Sequence, residues 1–163
     1  MMNEFLIEQL VKRNQTIATT LKKAGLIAVT VLSAFLTLAF PILTVVTVIL
    51  IFVDNFLFKR MNVEFEYVYF NGDLDIDKIM NMQSRKKQFS TNIKEMEVIA
   101  PSGSPALHPY QRLKTLDFST LNPEDKVYEM VTSFKGETVR VLFNPNEKIL
   151  NEMKNMAPRK VFF

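Results

Sequence analysis

Asp73, Asp75 and Asp77 form the densest acidic feature of the chain. Residues two apart on a strand share a face, so this spacing aims three carboxylates one way, as an oxygen-ligated cation would require. The calcium-loop pattern fails, because its glycine position is Lys78 and its twelfth position is Ser84 rather than Glu. The stronger expectation is the solvated face of an amphipathic strand with Leu74 and Ile76 turned inward, and no metal site is expected. A second cluster is basic: Arg85, Lys86 and Lys87 are consecutive, Lys94 follows, and Ser84–Lys87 reads as a turn. Held beneath an anionic leaflet, such a turn would gain roughly 1 kcal/mol per charge. These four residues are the candidate lipid- or partner-binding set; a merely solubilising turn is the alternative.

His108 is the only histidine and there is no cysteine. A catalytic triad, a zinc site or a histidine general base would each have to use His108, which lies between Leu107 and Pro109 in a loop without evident partners. No nucleophile-elbow, phosphate-loop or dinucleotide-binding motif occurs, and Gly25, Gly72, Gly103 and Gly136 do not cluster. The expectation is therefore a non-enzymatic protein without a cofactor. A net charge of +3, with basic and acidic residues interspersed, argues against a nucleic-acid partner. The lack of cysteine excludes disulfides and fits a reducing compartment.

The elements that would position these residues begin with an apolar run. From Ala24 to Val53 there is no Asp, Glu, Lys, Arg, His, Asn or Gln. A hydrocarbon core about 30 Å thick needs roughly 20 helical residues, and a signal peptide's apolar region is only about 7–15 long, so the run reads as membrane-inserted. Pro41 near its midpoint breaks or kinks a helix. Lys12, Arg13, Lys22 and Lys23 precede the run, and Lys59 and Arg60 follow it. Positive charge marks the cytoplasmic side, so an even number of crossings is expected: a hairpin of residues 24–58, roughly Lys23–Phe40 then Ile42–Phe58, with both termini cytoplasmic. One tilted, kinked span is the alternative. Asp54 lies about one turn from the basic exit, where it could pair with Lys59 or reach headgroups. Gly25, Ala28, Ser33 and Ala34 supply small residues suited to close helix packing.

Before the run, residues 1–23 read as an amphipathic interfacial helix capped by Asn3, with Leu6, Leu10, Ile17 and Leu21 near one face. A partner-binding helix is the competing reading. After Arg60 the pattern changes to period two. Asn62–Phe70 alternates, Asn71-Gly72 is a strong hairpin signal, and Asp73–Ile79 alternates again. Gln88–Asn92, Ile93–Ala100, Thr115–Ser119, Lys126–Phe134 and Thr138–Asn144 read as further strands, and Pro101–Leu113 as a surface loop. Pro145 opens a C-terminal helix over Glu147–Met156, with Ile149, Leu150, Met153 and Met156 inward.

Six or seven antiparallel strands followed by one helix, over residues 61–163, resembles a pleckstrin-homology-like barrel whose helix plugs one end. The string VEFEYVYFNGDLDIDKI, its Arg-Lys-Lys turn and EMEVIAP resemble an uncharacterised family of short Firmicutes membrane proteins that pair a membrane hairpin with a cytoplasmic β domain. That resemblance implies a multi-pass protein of the bacterial cell membrane; the family has no established activity, so the resemblance implies nothing about mechanism. Its cytoplasmic domain would contact a protein or anionic lipid at the inner membrane surface. The alternative is a small accessory subunit that meets a larger membrane complex through its hairpin.

Overall fold

The computed structural model describes residues 6–80 and 84–163. The first element corrects the expected N-terminal helix over part of its length: Leu6–Lys12 is a strand, β1, the helix begins only at Ile17, and the expected cap at Asn3 lies outside the described residues. Its side chains alternate, with Ile7, Gln9 and Val11 turned toward the protein and Leu6 and Leu10 exposed. Period two overrides helical propensity here because β1 finds a partner far along the chain. It pairs antiparallel with β2 (Val63–Phe70), from Leu6 opposite Phe70 to Lys12 opposite Glu64. The Gln9 side chain fastens the strand further, donating to the Asn144 carbonyl at 2.8 Å and accepting from the Asn146 amide at 2.7 Å.

Between β1 and β2 the chain makes a helical hairpin. Helix α1 spans Ile17–Leu36 and α2 spans Thr44–Met61, joined by a turn that includes one 3-10 segment, Pro41–Leu43. The expected boundaries therefore move. The first helix starts earlier and stops at Leu36, and Pro41 opens the 3-10 segment, where its missing N–H is harmless. Both helices are long and apolar enough to cross a membrane.

The β domain is two four-stranded sheets. The first has the order β1-β2-β3-β4, with β3 at Asp73–Met80 and β4 at Ser84–Asn92. The second has the order β5-β7-β8-β6, with β5 at Met96–Pro101, β6 at Lys114–Asp117, β7 at Tyr128–Phe134 and β8 at Glu137–Phe143. The strands are thus eight among the described residues, and not all antiparallel, since β6 runs parallel to β8. The expected β2–β3 hairpin forms in register on Asn71-Gly72, both with positive φ (47° and 93°) as a type I′ turn needs. Gly72 is also constrained by space, because a Cβ there would meet the Met156 side chain at 3.0 Å.

The core lies between the sheets. Phe65, Tyr67, Tyr69, Leu74, Ile76 and Phe89 from the first sheet meet Met130, Val139, Val141 and Phe143 from the second. Helix α3 (Glu147–Met156) adds Ile149, Leu150 and Met153 to that core, and Asn146 caps it by accepting from the Ile149 amide. Met156, expected inward, is half exposed, and its sulfur accepts the Tyr69 hydroxyl. Tyr67 is fully buried. Its hydroxyl donates to the Phe118 carbonyl at 2.6 Å, and its ring meets Phe143 edge-on. Burial pushes both phenols upward, Tyr69 to about 12.

Candidate functional site

The sequence-predicted site residues are not brought together. Arg85, Lys86 and Lys87 lie in β4 rather than in a turn, because β4 begins at Ser84, directly opposite Met80 of β3. Arg85 pairs with Glu66 and reaches Asp77 at 3.7 Å, while the Lys87 amine sits 2.7 Å from Asp75. The hydrogen bond to Asp75 raises the pKa of Lys87, with neighbouring carboxylates adding to it. Lys86 lies opposite Lys78 and forms no ion pair among the described residues. Lys94 lies beyond the other end of β4, in the turn before β5.

The same contacts explain the acidic triplet. Asp75 and Asp77 face the basic strand, Asp73 accepts from the Asn92 amide nitrogen at 2.6 Å, and Leu74 and Ile76 are buried on the other side. Two of the three, Asp75 and Asp77, are counter-charges to β4, and no group that could hold a metal ion occurs among the described residues. His108 is exposed within a 3-10 stretch, Pro105–Tyr110, inside the expected loop. That stretch is anchored by Leu107, which packs with Val98, Ala100 and Val131 in a small second core. Beside it, Glu129 accepts from the Ser102 hydroxyl at 2.6 Å and pairs with Arg140 at 3.4 Å.

The feature that sequence reasoning missed lies in the helical hairpin. On α1 the less exposed positions are Thr19, Lys23, Leu26, Thr30 and Ser33, followed by Thr37; on the returning arm they are Leu43, Thr47, Leu50, Asp54, Leu57 and Met61, with Phe58 beside Leu57. Spacings of three and four make this a two-helix seam. Its middle is polar. The Thr30 hydroxyl donates to Asp54 Oδ2 at 2.6 Å, and the Ser33 and Thr47 hydroxyls share a hydrogen bond of 2.7 Å. Asp54 and Thr47 are buried between the helices. Asp54 thus pairs across the hairpin with Thr30, not along the helix with Lys59. Between the basic residues at its base and its turn, the outward face is mostly apolar, including Ile27, Leu32, Phe35, Val45, Ile49 and Phe52, with Asn55 the polar exception on α2 after Thr44. Of the small residues, only Ser33 faces the seam; Gly25, Ala28 and Ala34 are exposed. The available signal was the seven-residue spacing of Thr47 and Asp54 within an otherwise apolar stretch.

At the base of the hairpin, Arg13 donates its amide to the Val63 carbonyl, so the strands feeding α1 and leaving α2 are held side by side. Lys23 and Gln15 both donate to Asn62, and Arg60 lies over the Phe56 ring. A cavity of about 180 Å³ opens there, lined by Arg13, Asn14, Gln15, Thr16, Thr19, Met61, Val63 and Lys78. It contains two cations and no carboxylate, although Arg13 is held from behind by Asp117 at 3.4 Å. Lys78 continues the inward row of Leu74 and Ile76 and makes no ion pair among the described residues.

Two sheets enclosing one core, closed by a C-terminal helix, is the arrangement expected of a PH-like fold. The family described as Bacterial PH-like domain (DUF6106) matches residues 3–163. The chain belongs to this family. The match takes in the helical hairpin as well as both sheets, so the hairpin is part of the family's pattern and not an appendage to it. In this PH-like domain the hairpin occupies the β1–β2 connection. No curated protein and no solved structure matches the chain.

Proposed function

We propose that this chain is a non-enzymatic, membrane-anchored PH-like protein of the bacterial cell membrane. Its hairpin enters from and returns to the cytoplasmic face, and its domain contacts a protein or anionic lipid there. The observation that carries this reading is the inverted polarity of the hairpin, hydroxyls and a carboxyl inside and large aliphatic and aromatic side chains outside. In water such a surface would exceed the few hundred Å² of contiguous apolar patch that soluble monomers tolerate. In lipid it is the expected arrangement, because acyl chains solvate the outside and polar groups find partners only inside.

The pairing of β1 with β2 supports same-side entry and exit, since both strand ends at the hairpin base belong to one ladder. Lys12, Lys22, Lys59 and Arg60 are exposed near that base, which favours the cytoplasmic side. The same geometry favours anionic-lipid contact at the base, from these residues with Lys78 and Lys86, over contact through Arg85 and Lys87, whose charges are matched by carboxylates. Lys94 is a candidate for partner contact at the opposite end of β4. A second reading, an accessory subunit, draws on the outward Gly25, Ala28 and Ala34, which leave room for a further helix to approach. The test of anchorage is extraction: the full chain should stay with membranes in alkaline carbonate and be released by detergent. Recovery in the carbonate supernatant would sink the proposal. A stoichiometric partner that co-purifies in mild detergent, and is lost on Gly25→Leu, would favour the subunit reading.

A further inference from the structure

The turn of the hairpin differs from an ordinary loop in three ways. First, from Thr37 to Leu43 it carries no charged side chain, and Leu38, Phe40 and Ile42 are 84%, 60% and 81% exposed. Second, its amides are nearly all paired within the hairpin. The amides of Thr37, Leu38, Ala39 and Phe40 donate to Ser33, Phe35 and Leu36 carbonyls, and those of Leu43 and Thr44 donate to Phe40 and Pro41. Pro41 has no donor, which leaves Ile42 as the one remaining amide of the turn. The Thr37 and Thr44 hydroxyls are folded back onto the Ala34 and Pro41 carbonyls as well. In hydrocarbon each unpaired amide costs several kcal/mol, so a turn in which all but one of the N–H groups are paired suits lipid.

Third, although each whole helix is long enough to cross a membrane, the part of each that is free of basic residues is short. Measured from Lys23 to Thr37 on α1, or from Lys59 back to Thr44 on α2, the apolar arms rise only about 21–23 Å at 1.5 Å per residue. The turn adds a few ångströms, and tilt subtracts from the total. The hydrocarbon core is about 30 Å thick. With the lysines at the near edge, the tip stops short of the far edge.

We infer that the hairpin is re-entrant: its tip, Leu38–Ile42, remains among the acyl chains of the opposite leaflet and does not reach water. This rests on the membrane anchorage proposed above and replaces two complete crossings with a wedge that enters and returns. The occupant of the exposed apolar tip is then lipid, and the chain has no outer surface.

The chain lacks both cysteine and tryptophan, so single probes can be placed without background. Leu38→Cys and Phe40→Cys should resist a membrane-impermeant maleimide applied to intact cells and to inverted vesicles. Ser133→Cys, on the exposed β7–β8 end of the domain, should react only in inverted vesicles. Labelling at the tip should fall on the order of tenfold below that at Ser133→Cys and recover in detergent, as exclusion from water requires. To exclude a merely shielded thiol, Phe40→Trp in bilayers carrying chain-brominated lipids should show blue-shifted emission, quenched more by mid-chain than by headgroup-level bromine. Tip labelling in intact cells, or water-like Phe40→Trp emission, overturns the re-entrant tip while leaving anchorage standing. Tip labelling in inverted vesicles overturns insertion itself.

Discussion

The β domain and the helical hairpin solve opposite problems with the same residue types. In the domain, Phe65, Tyr67, Ile76 and Phe143 are buried, and Asp75, Lys87 and Arg85 lie on the outer face. In the hairpin, Thr30, Ser33, Thr47 and Asp54 line the seam, and Phe35, Ile49 and Phe52 lie outside. Neither part could exchange its surroundings with the other. The contrast teaches that burial within the protein is the wrong measure for a hairpin residue: Phe52 is 71% exposed, yet on this reading it is fully removed from water.

The largest effect should come from emptying the domain core. Tyr67→Ala removes a fully buried ring, the hydroxyl bond to Phe118 and the edge-on contact with Phe143. A loss of about 3–5 kcal/mol is expected, of the size measured for large aromatic truncations. Near-ultraviolet circular dichroism during thermal or denaturant unfolding in mild detergent would report it. Phe52→Ala deletes a side chain of similar bulk and should leave that transition in place. If Phe52→Ala lowers it as far as Tyr67→Ala does, the two regions share one core and the contrast is false.

A smaller effect should follow from breaking the polar seam. Thr30→Val keeps the shape of the side chain and takes the hydroxyl from Asp54, which has no other hydrogen-bond partner among the described residues. Interhelical hydrogen bonds in membranes are worth about 0.6–1.7 kcal/mol, so a loss in that range is expected. Hydrogen exchange along α1 and α2 in micelles would show it as faster opening of the hairpin, with β2 and β3 unaffected. Thr30→Ser, which retains the hydroxyl, should restore protection. Exchange that accelerates equally in both variants would mean that the bond does not hold the seam.

The β2–β3 hairpin, the apolar run and α3 were all legible in the sequence, because each is specified locally by alternation, turn residues or helix caps. β1 was not. Its Leu6 and Leu10 mimic a helical face, and only the distant Glu64–Phe70 ladder determines that Ile7 and Val11 turn inward. For the same reason the basic residues at 85–87 read as a turn: their partners Glu66, Asp75 and Asp77 lie on two other strands. The seam was hidden for a related reason. Hydroxyls are tolerated in apolar stretches, so Thr30, Ser33 and Thr47 stand out only once the two helices are paired.

The smallest effect is expected where polar contacts face water, and it separates the two regions most cleanly. Arg85 is half exposed but meets two carboxylates, Glu66 and Asp77, whose side chains are only 14% exposed. Lys87 meets Asp75, which is 33% exposed. Exposed ion pairs contribute about 0–1 kcal/mol, so Lys87→Ala should be near neutral and Arg85→Ala should cost somewhat more, by leaving two largely covered carboxylates without their cation. Both differences should shrink in 1 M salt, where the screening length falls to about 3 Å. On the proposed membrane placement the Thr30–Asp54 bond lies between helices that water and counter-ions do not reach, so the Thr30→Val effect should not change with salt. Measuring each loss at low and high salt sets a solvent-facing ion pair against a hydroxyl–carboxyl bond within the hairpin. If Thr30→Val softened with salt as Arg85→Ala does, the seam would be open to water, and the hairpin would belong on the outside of the membrane.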